Sequence, residues 1–137
     1  MDELFTFVGT RKNPIRIWTA VNRDSRTFAG IYVGDGTSKS LKSFLKCLRA
    51  EYTVDIVCTD GNYCYEKYVK RAFRGVRHIV TKAETCLVES LNAVLRHYLA
   101  RLRRKSFCYS KSLDMLRYSV LLFVQQFNNK LYGGSER

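Results

Sequence analysis

Acidic residues are scarce in this chain. Twelve Asp and Glu stand against 24 Lys and Arg in 137 residues, a formal net charge of +12. So few carboxylates cannot neutralise the basic surface, and a folded domain with this excess is expected to meet a polyanion. DNA, RNA and an anionic membrane surface are the classes that qualify. Long apolar runs are also missing. None approaches the ~20 residues needed to span a bilayer. The N-terminus opens Met1-Asp2-Glu3, the wrong sign for a signal peptide. A cytosolic protein with no membrane partner is the expectation. Proline occurs once, and no Ser/Gly-rich stretch interrupts the chain. The reading is therefore one domain over residues 1–130 and a short flexible tail over 131–137. No Cys-x-x-Cys pair is present. The five cysteines (Cys47, Cys58, Cys64, Cys86, Cys108) are odd in number and widely spaced, which fits neither a zinc site nor a disulfide framework. They are expected as small core residues in a reducing compartment. What the chain does have is apolar substance: 46% hydrophobic and 13% aromatic residues, enough for a core.

Residues 3–8, rich in aromatic and branched side chains, read as a strand. Gly9 to Pro14 reads as a turn, Ile15 to Val21 as a second strand and Thr27 to Val33 as a third. The short polar link Asn22–Arg26 makes these an antiparallel meander. Gly34-Asp35-Gly36-Thr37-Ser38-Lys39 resembles a phosphate loop faintly, but lacks its glycine and lysine spacing. A turn and helix cap is the better reading. Leu41, Phe44, Leu45 and Leu48 at helical spacing predict a helix over 38–50. Val54 to Cys58 reads as a central parallel strand, residues 62–73 as a helix and Val76 to Val80 as a strand. Two helices complete the chain, over 84–104 and 110–129. The order is β-β-β-α-β-α-β-α-α, an α/β domain.

Asp60 follows an apolar strand and precedes Gly61. Ligands collect at the carboxyl ends of strands in open α/β sheets. Glu89 lies in the first turns of the 84–104 helix, and Arg96 and Arg103 follow at one and two heptads on the same face, opposite Leu91, Leu95 and Leu102. Asp2, on the first strand, supplies a third acid if that strand lies beside the one ending in Asp60. Three converging carboxylates repel one another without a cation. Hard oxygen ligands suit Mg²⁺, and phosphodiester cleavage by two such ions is chemistry that this set serves. Each acid has a plain alternative: Asp60 as a turn residue, Glu89 as a solvated acid favoured by the helix dipole, Asp2 as a terminal charge.

These residues carry a family resemblance. The pieces are Met1-Asp2-Glu3-Leu4 leading to Phe7-Val8-Gly9, Ile17-Trp18-Thr19-Ala20-Val21 to Val33-Gly34, Thr59-Asp60-Gly61 with Tyr65, and Val88-Glu89-Ser90-Leu91-Asn92. The most specific is Leu95-Arg96-His97-Tyr98-Leu99-Ala100-Arg101-Leu102-Arg103-Arg104-Lys105-Ser106, followed by Tyr109-Ser110-Lys111-Ser112. Over roughly residues 1–128 the chain resembles the catalytic half of insertion-sequence DDE transposases of the "insertion sequence one" type. The resemblance implies a ribonuclease-H-like fold: a mixed five-stranded sheet, the three-strand antiparallel meander plus two parallel strands, flanked by helices. It implies Asp2, Asp60 and Glu89 as the catalytic, metal-binding acids, holding two Mg²⁺ (or Mn²⁺) ions. It implies DNA cleavage at transposon ends and strand transfer to target DNA, in a homo-oligomer associated with the nucleoid. Full-length members carry an N-terminal zinc-ribbon and helix-turn-helix region. No such region is read here, so a separate product supplying it is an expected partner.

Lys67, Lys70, Arg71, Arg74 and Arg77 form one basic cluster. Arg96, Arg101, Arg103, Arg104, Lys105 and Lys111 form a second, interleaved with Tyr98, Phe107 and Tyr109, and are the candidate DNA-binding residues. Such groups give salt-sensitive affinity without sequence readout; the plain alternative is a solvated face. His78 and His97 are isolated. Two other functions remain open: a catalytically inactive or truncated DNA-binding remnant, and another nuclease of the ribonuclease-H fold.

Overall fold

The computed structural model describes residues 1–102 and 108–133. Three strands, β1 (Asp2–Val8), β2 (Thr10–Asn22) and β3 (Thr27–Gly34), form an antiparallel meander with β2 in the middle. The expected turn over 9–14 contracts to Gly9, whose φ of 73° is the left-handed conformation glycine adopts freely. β2 therefore starts at Thr10 and carries Pro14 inside it, opposite Phe7 of β1. The sheet tolerates that proline because β3 pairs with β2 only from Arg16 onward, so no strand asks for its missing N–H. The β2–β3 link is the polar hairpin expected, with Asn22 Oδ1 accepting the Asp24 amide at 3.0 Å.

The acidic and polar residues after β3 cap α1 (Ser38–Glu51). Asp35 Oδ1 accepts from the Thr37 amide at 3.1 Å, the Thr37 hydroxyl at 2.7 Å and the Ser40 hydroxyl at 2.8 Å. α1 settles closely on β3 because Gly30 has no side chain: a Cβ there would stand 2.6 Å from Leu48 Cδ2. β4 (Ile56–Thr59) and β5 (Arg77–Val80) are parallel, joined by α2 (Tyr63–Ala72). A 3₁₀ turn over Ala83–Thr85 leads into α3 (Cys86–Tyr98). A second 3₁₀ turn covers Ala100–Leu102, and α4 (Leu113–Gly133) ends the description, running three residues into the stretch expected as a tail.

Alternation along the strands divides the core in two. Leu4, Ile15, Ile17 and Val33 face Leu91, Leu95, Leu116 and Val120 of α3 and α4. Trp18 and Ala20 face Leu41, Phe44 and Leu45 of α1, with Tyr65 and Val69 of α2 and Val57 of β4. The architecture is thus α/β in layers, helices on both faces of the meander.

Three expectations need correction. The five strands make a three-stranded and a two-stranded sheet rather than one mixed sheet. The ladder of β1 starts at Asp2, and its outer edge meets β4 through the Met1 ammonium, which donates to the Cys58 carbonyl at 2.8 Å. The helix over 84–104 stops at Tyr98. Leu99 turns extended, and the following 3₁₀ turn returns Leu102 to the same core, 2% exposed. The cysteines are not core residues: all five are free, four exposed and Cys58 half-buried. Cys47, Cys64 and Cys86 sit just off the buried faces of their helices.

The capping hydrogen bonds hold the Asp35 carboxyl well below its ordinary range, at about 2. A depressed carboxyl contributes stability above the unfolded value and loses it as pH falls through the folded one. Asp35→Ala should lower the melting temperature near neutral pH. The gap to wild type should close between about pH 4, the ordinary aspartate value, and about pH 2. Circular dichroism melts across that range check it.

Candidate active site

Asp2 opens β1 on the face that meets α3. Its Oδ2 accepts the Asn92 Nδ2 at 3.0 Å. Asn92 is buried in the apolar stripe of α3, and its Oδ1 accepts the Thr19 hydroxyl at 2.8 Å. That hydroxyl also lies 3.3 Å from the Asp2 carbonyl. Adjacent strand and helix thus grip Asp2 through a satisfied polar network, the form in which buried polar groups are stable.

Asp60 follows the last residue of β4. Its Oδ1 accepts the Asn62 amide at 3.1 Å, an Asx turn that leads into α2. Asn62 then caps α2 by accepting the Cys64 amide at 3.0 Å, and its Nδ2 donates to Glu3 Oε1 at 3.3 Å. Thr59, fully buried, shares a 2.7 Å hydrogen bond with His78 Nε2. His78 is a strand tie, not a ligand, and burial lowers its pKa.

Glu3 is an acid that the sequence reading missed. β1 alternation sends it to the face opposite Asp2, where Arg16 stands 3.6 Å away. Burial raises the Glu3 carboxyl; Arg16 works against the rise, and Asp60 and then Asp2 add to it. The Met1 ammonium is lowered by burial, with Asp2, Cys58 and Asp60 favouring its charged form. These mutual influences bring Asp2, Glu3 and Asp60 into one neighbourhood around the start of β1.

Glu89 is in the first turn of α3, exposed. Its Oε1 accepts the hydroxyl of buried Thr85 at 3.3 Å, and the 3₁₀ turn holding Thr85 packs on β4. Asn92 follows Glu89 by one helical turn, so the residue that grips Asp2 and the third acid share a side of α3. The elements carrying all three acids are neighbours. Their side chains do not close on one point: among the described residues no three His, Cys, Asp or Glu side chains stand together as a metal cluster. The donor chemistry, carboxylate oxygens on neighbouring elements, is the hard-oxygen kind that fits a divalent cation.

The basic candidates divide. Arg96 is turned inward, Nη1 donating to the Leu102 carbonyl at 2.8 Å and Nη2 to the Phe5 carbonyl at 3.1 Å. It ties α3, the 3₁₀ turn and β1 together. Arg101 is half-buried and Lys111 exposed. Arg103, Arg104, Lys105 and Phe107 lie outside the described residues. Lys67, Lys70, Arg71, Arg74 and Arg77 are all exposed, Lys70 paired with Glu66 at 2.9 Å.

Tyr65 is 1% exposed, and its hydroxyl is buried without a hydrogen-bond partner. Burial, then the charges of Glu3, Asp2 and Asp60, push the phenol pKa up. A buried, unpaired hydroxyl costs about 1–3 kcal/mol. Tyr65→Phe removes it at constant shape and is expected to leave stability unchanged or raise it by up to that amount, read in a urea unfolding midpoint. A loss of more than about 1 kcal/mol, the worth of a typical hydrogen bond, would mean the hydroxyl has a partner in solution.

Among the described residues no helix is long and apolar enough to cross a membrane. No solved structure matches the chain. The "Insertion element IS1 protein InsB" of Shigella flexneri is 35% identical over 115 residues, 84% of each chain. The "Insertion element IS1 4 protein InsB" of Escherichia coli strain K12 is 33% identical over 115 residues, 84% of this chain and 66% of that relative, just under two thirds of its length. The profile described as IS1 transposase matches residues 1–130. The chain belongs to the IS1 transposase family.

Proposed function

We propose that this chain is a ribonuclease-H-like catalytic domain that cleaves DNA at insertion-sequence ends and transfers the freed strand to target DNA, with Asp2, Asp60 and Glu89 as the ligands of two Mg²⁺ or Mn²⁺ ions. What carries the reading is the 3.0 Å hydrogen bond from Asn92 to Asp2, which joins the β1 acid to the helix turn that follows Glu89. The Met1–Cys58 hydrogen bond, at the other edge of β1, supports it by setting that strand beside the one leading to Asp60.

Bound ions supply activation of the attacking water or hydroxyl and charge stabilisation on the leaving oxygen. The protein's residues do the rest. Asn92 and Thr19 fix the orientation of Asp2. The Asx turn fixes Asp60. Glu89, held by one 3.3 Å hydrogen bond at the surface, is the acid with freedom to swing toward the other two. Arg101 and Lys111, with Arg103, Arg104 and Lys105, would take phosphates of the cleaved strand. Assembly as a homo-oligomer holding two transposon ends, with a separate end-reading product, belongs to the same reading.

A second reading has its own observation: the three carboxylates do not meet among the described residues. A DNA-binding remnant without turnover fits that. Incubation with Mg²⁺ or Mn²⁺ and labelled transposon-end, RNA–DNA hybrid and junction substrates separates the readings. Transposon-end cleavage is expected. Asp60→Asn and Glu89→Gln should each reduce it at least about 100-fold, since even losses outside the ligand shell cost 10–100-fold. Salt-sensitive binding with no cleavage, identical in both variants, would establish the remnant. Cleavage of hybrids alone would establish another nuclease of this fold.

A further inference from the structure

A concentration of exposed positive charge lies between α1 and α2. Lys42, Lys46 and Arg49 line one side of a groove of about 230 Å³, and Arg71 and Tyr68 line the other, over a floor of Leu45 and Ala72. All four cations are exposed, and among the described residues none is paired with a carboxylate. Among the described residues no acid lines the groove. α1 and α2 cover the sheet face opposite α3 and α4, so this surface belongs to a different layer from Arg101 and Lys111.

We infer that this groove is a second binding site for the phosphate backbone of duplex DNA, distinct from the strand handled at the acids. Three features select that ligand. The α1 cations follow the helix axis at spacings of four and three residues. From Lys42 to Arg49 they cover about 10 Å at 1.5 Å per residue, the axial run of about three phosphates of one strand. The opposite wall adds Arg71, and with it a basic channel rather than a single row. The one aromatic lining the groove is not offered for stacking: Lys42 Nζ sits 5.1 Å and Lys67 Nζ 5.6 Å from the Tyr68 ring centroid. A surface that covers its aromatic with ammonium groups contacts backbone charge, not unstacked bases, which favours a duplex over a single strand.

The inference rests on the nucleic-acid reading and not on the acids. Binding is measured by fluorescence anisotropy on the full chain with a 5′-labelled duplex of arbitrary sequence, over a series of salt concentrations. Each phosphate contact contributes about 0.9 to the slope of log affinity against log salt. The combined variant K42Q/K46Q/R49Q/R71Q, which removes four contacts, should lower that slope by about 3.6. A control with the same change in charge at exposed sites elsewhere, R11Q/K12Q/R26Q/K130Q, should lower it by less than 1, about one contact's worth. The titrations are run in EDTA without divalent ions, so that binding is read apart from cleavage and a failed cleavage assay leaves this result readable. Equal losses in the two charge variants would reduce the groove to general charge and overturn the site. So would an unchanged slope in the groove variant, or binding of the groove to phosphatidylserine vesicles in preference to duplex.

Discussion

The site depends on how the start of β1 is held, at Asp2 and at Met1 just before it. Asp2 is gripped by Asn92, which is itself anchored by the Thr19 hydroxyl. Met1 is tied by its ammonium to the Cys58 carbonyl. The first bond fixes the strand against α3 and the second against β4. Remove either and an acid-bearing element loses its reference to the others. The network is small, but its members are buried or half-buried and fully paired. In a low-dielectric setting, satisfied polar contacts specify one geometry more sharply than apolar packing does.

Held this way, β1 distributes like charge to both faces of the sheet. Asp2 goes to the α3 side and Glu3 to the α2 side, with Asp60 acting on Glu3 from the tip of β4. The Arg16 guanidinium and the Met1 ammonium partly offset that crowding. Glu89 stays outside it, at the surface. In the proposed reading, Glu89 would join Asp2 and Asp60 when a bound cation compensates their repulsion. Asn62 connects the two faces. It holds the Asp60 carboxylate through its amide and Glu3 through its side chain, so the orientation of the catalytic candidate is linked to an acid on the far side of the strand.

Much of this was legible in the sequence, for reasons that differ by element. The meander was visible because its strands are rich in aromatic and branched residues and joined by short polar links, and α1 because Leu41, Phe44, Leu45 and Leu48 trace one helical face that the structure buries. A cap at Thr37 or Ser38 was visible from residue type, and the structure uses Thr37. The end of α3 was not, because Leu102 keeps the heptad spacing of Leu95 while lying beyond the helix, in a 3₁₀ turn that Arg96 fastens. The same fact hid the inward role of Arg96, since an arginine on a helix face reads as solvated until its acceptors are known. Asp2, Asp60 and Glu89 were legible as acids at strand and helix ends. Asn92 and Glu3 were not, although each left a signal: a polar residue within an apolar helical stripe, and a second acid on a strand whose neighbours alternate. The extension of β2 through Pro14 was illegible because it depends on where β3 stops pairing, a property of register rather than of the proline.

The distribution of charge gives the fold its functional polarity. Twelve acids cannot neutralise 24 bases, and two of them, Glu66 and Asp114, sit in ion pairs with neighbours on their own helices. Exposed pairs of that kind are worth little and are screened by salt, so they do not explain why the α1 row stands free of acids. A row of cations without counter-charges costs self-repulsion in the isolated protein. The fold carries that cost on a solid platform: the buried side of α1 packs Phe44 and Leu45 against Trp18 and its neighbours. The repulsion therefore cannot relax by unwinding the helix without exposing that core. A polyanion lying along the groove relieves it by replacing mutual repulsion with attraction. The acids on β1 and β4 would be relieved by the opposite partner, small cations. One domain thus presents two surfaces of opposite deficit, and the proposed substrate, a phosphodiester backbone with divalent counter-ions, would answer both.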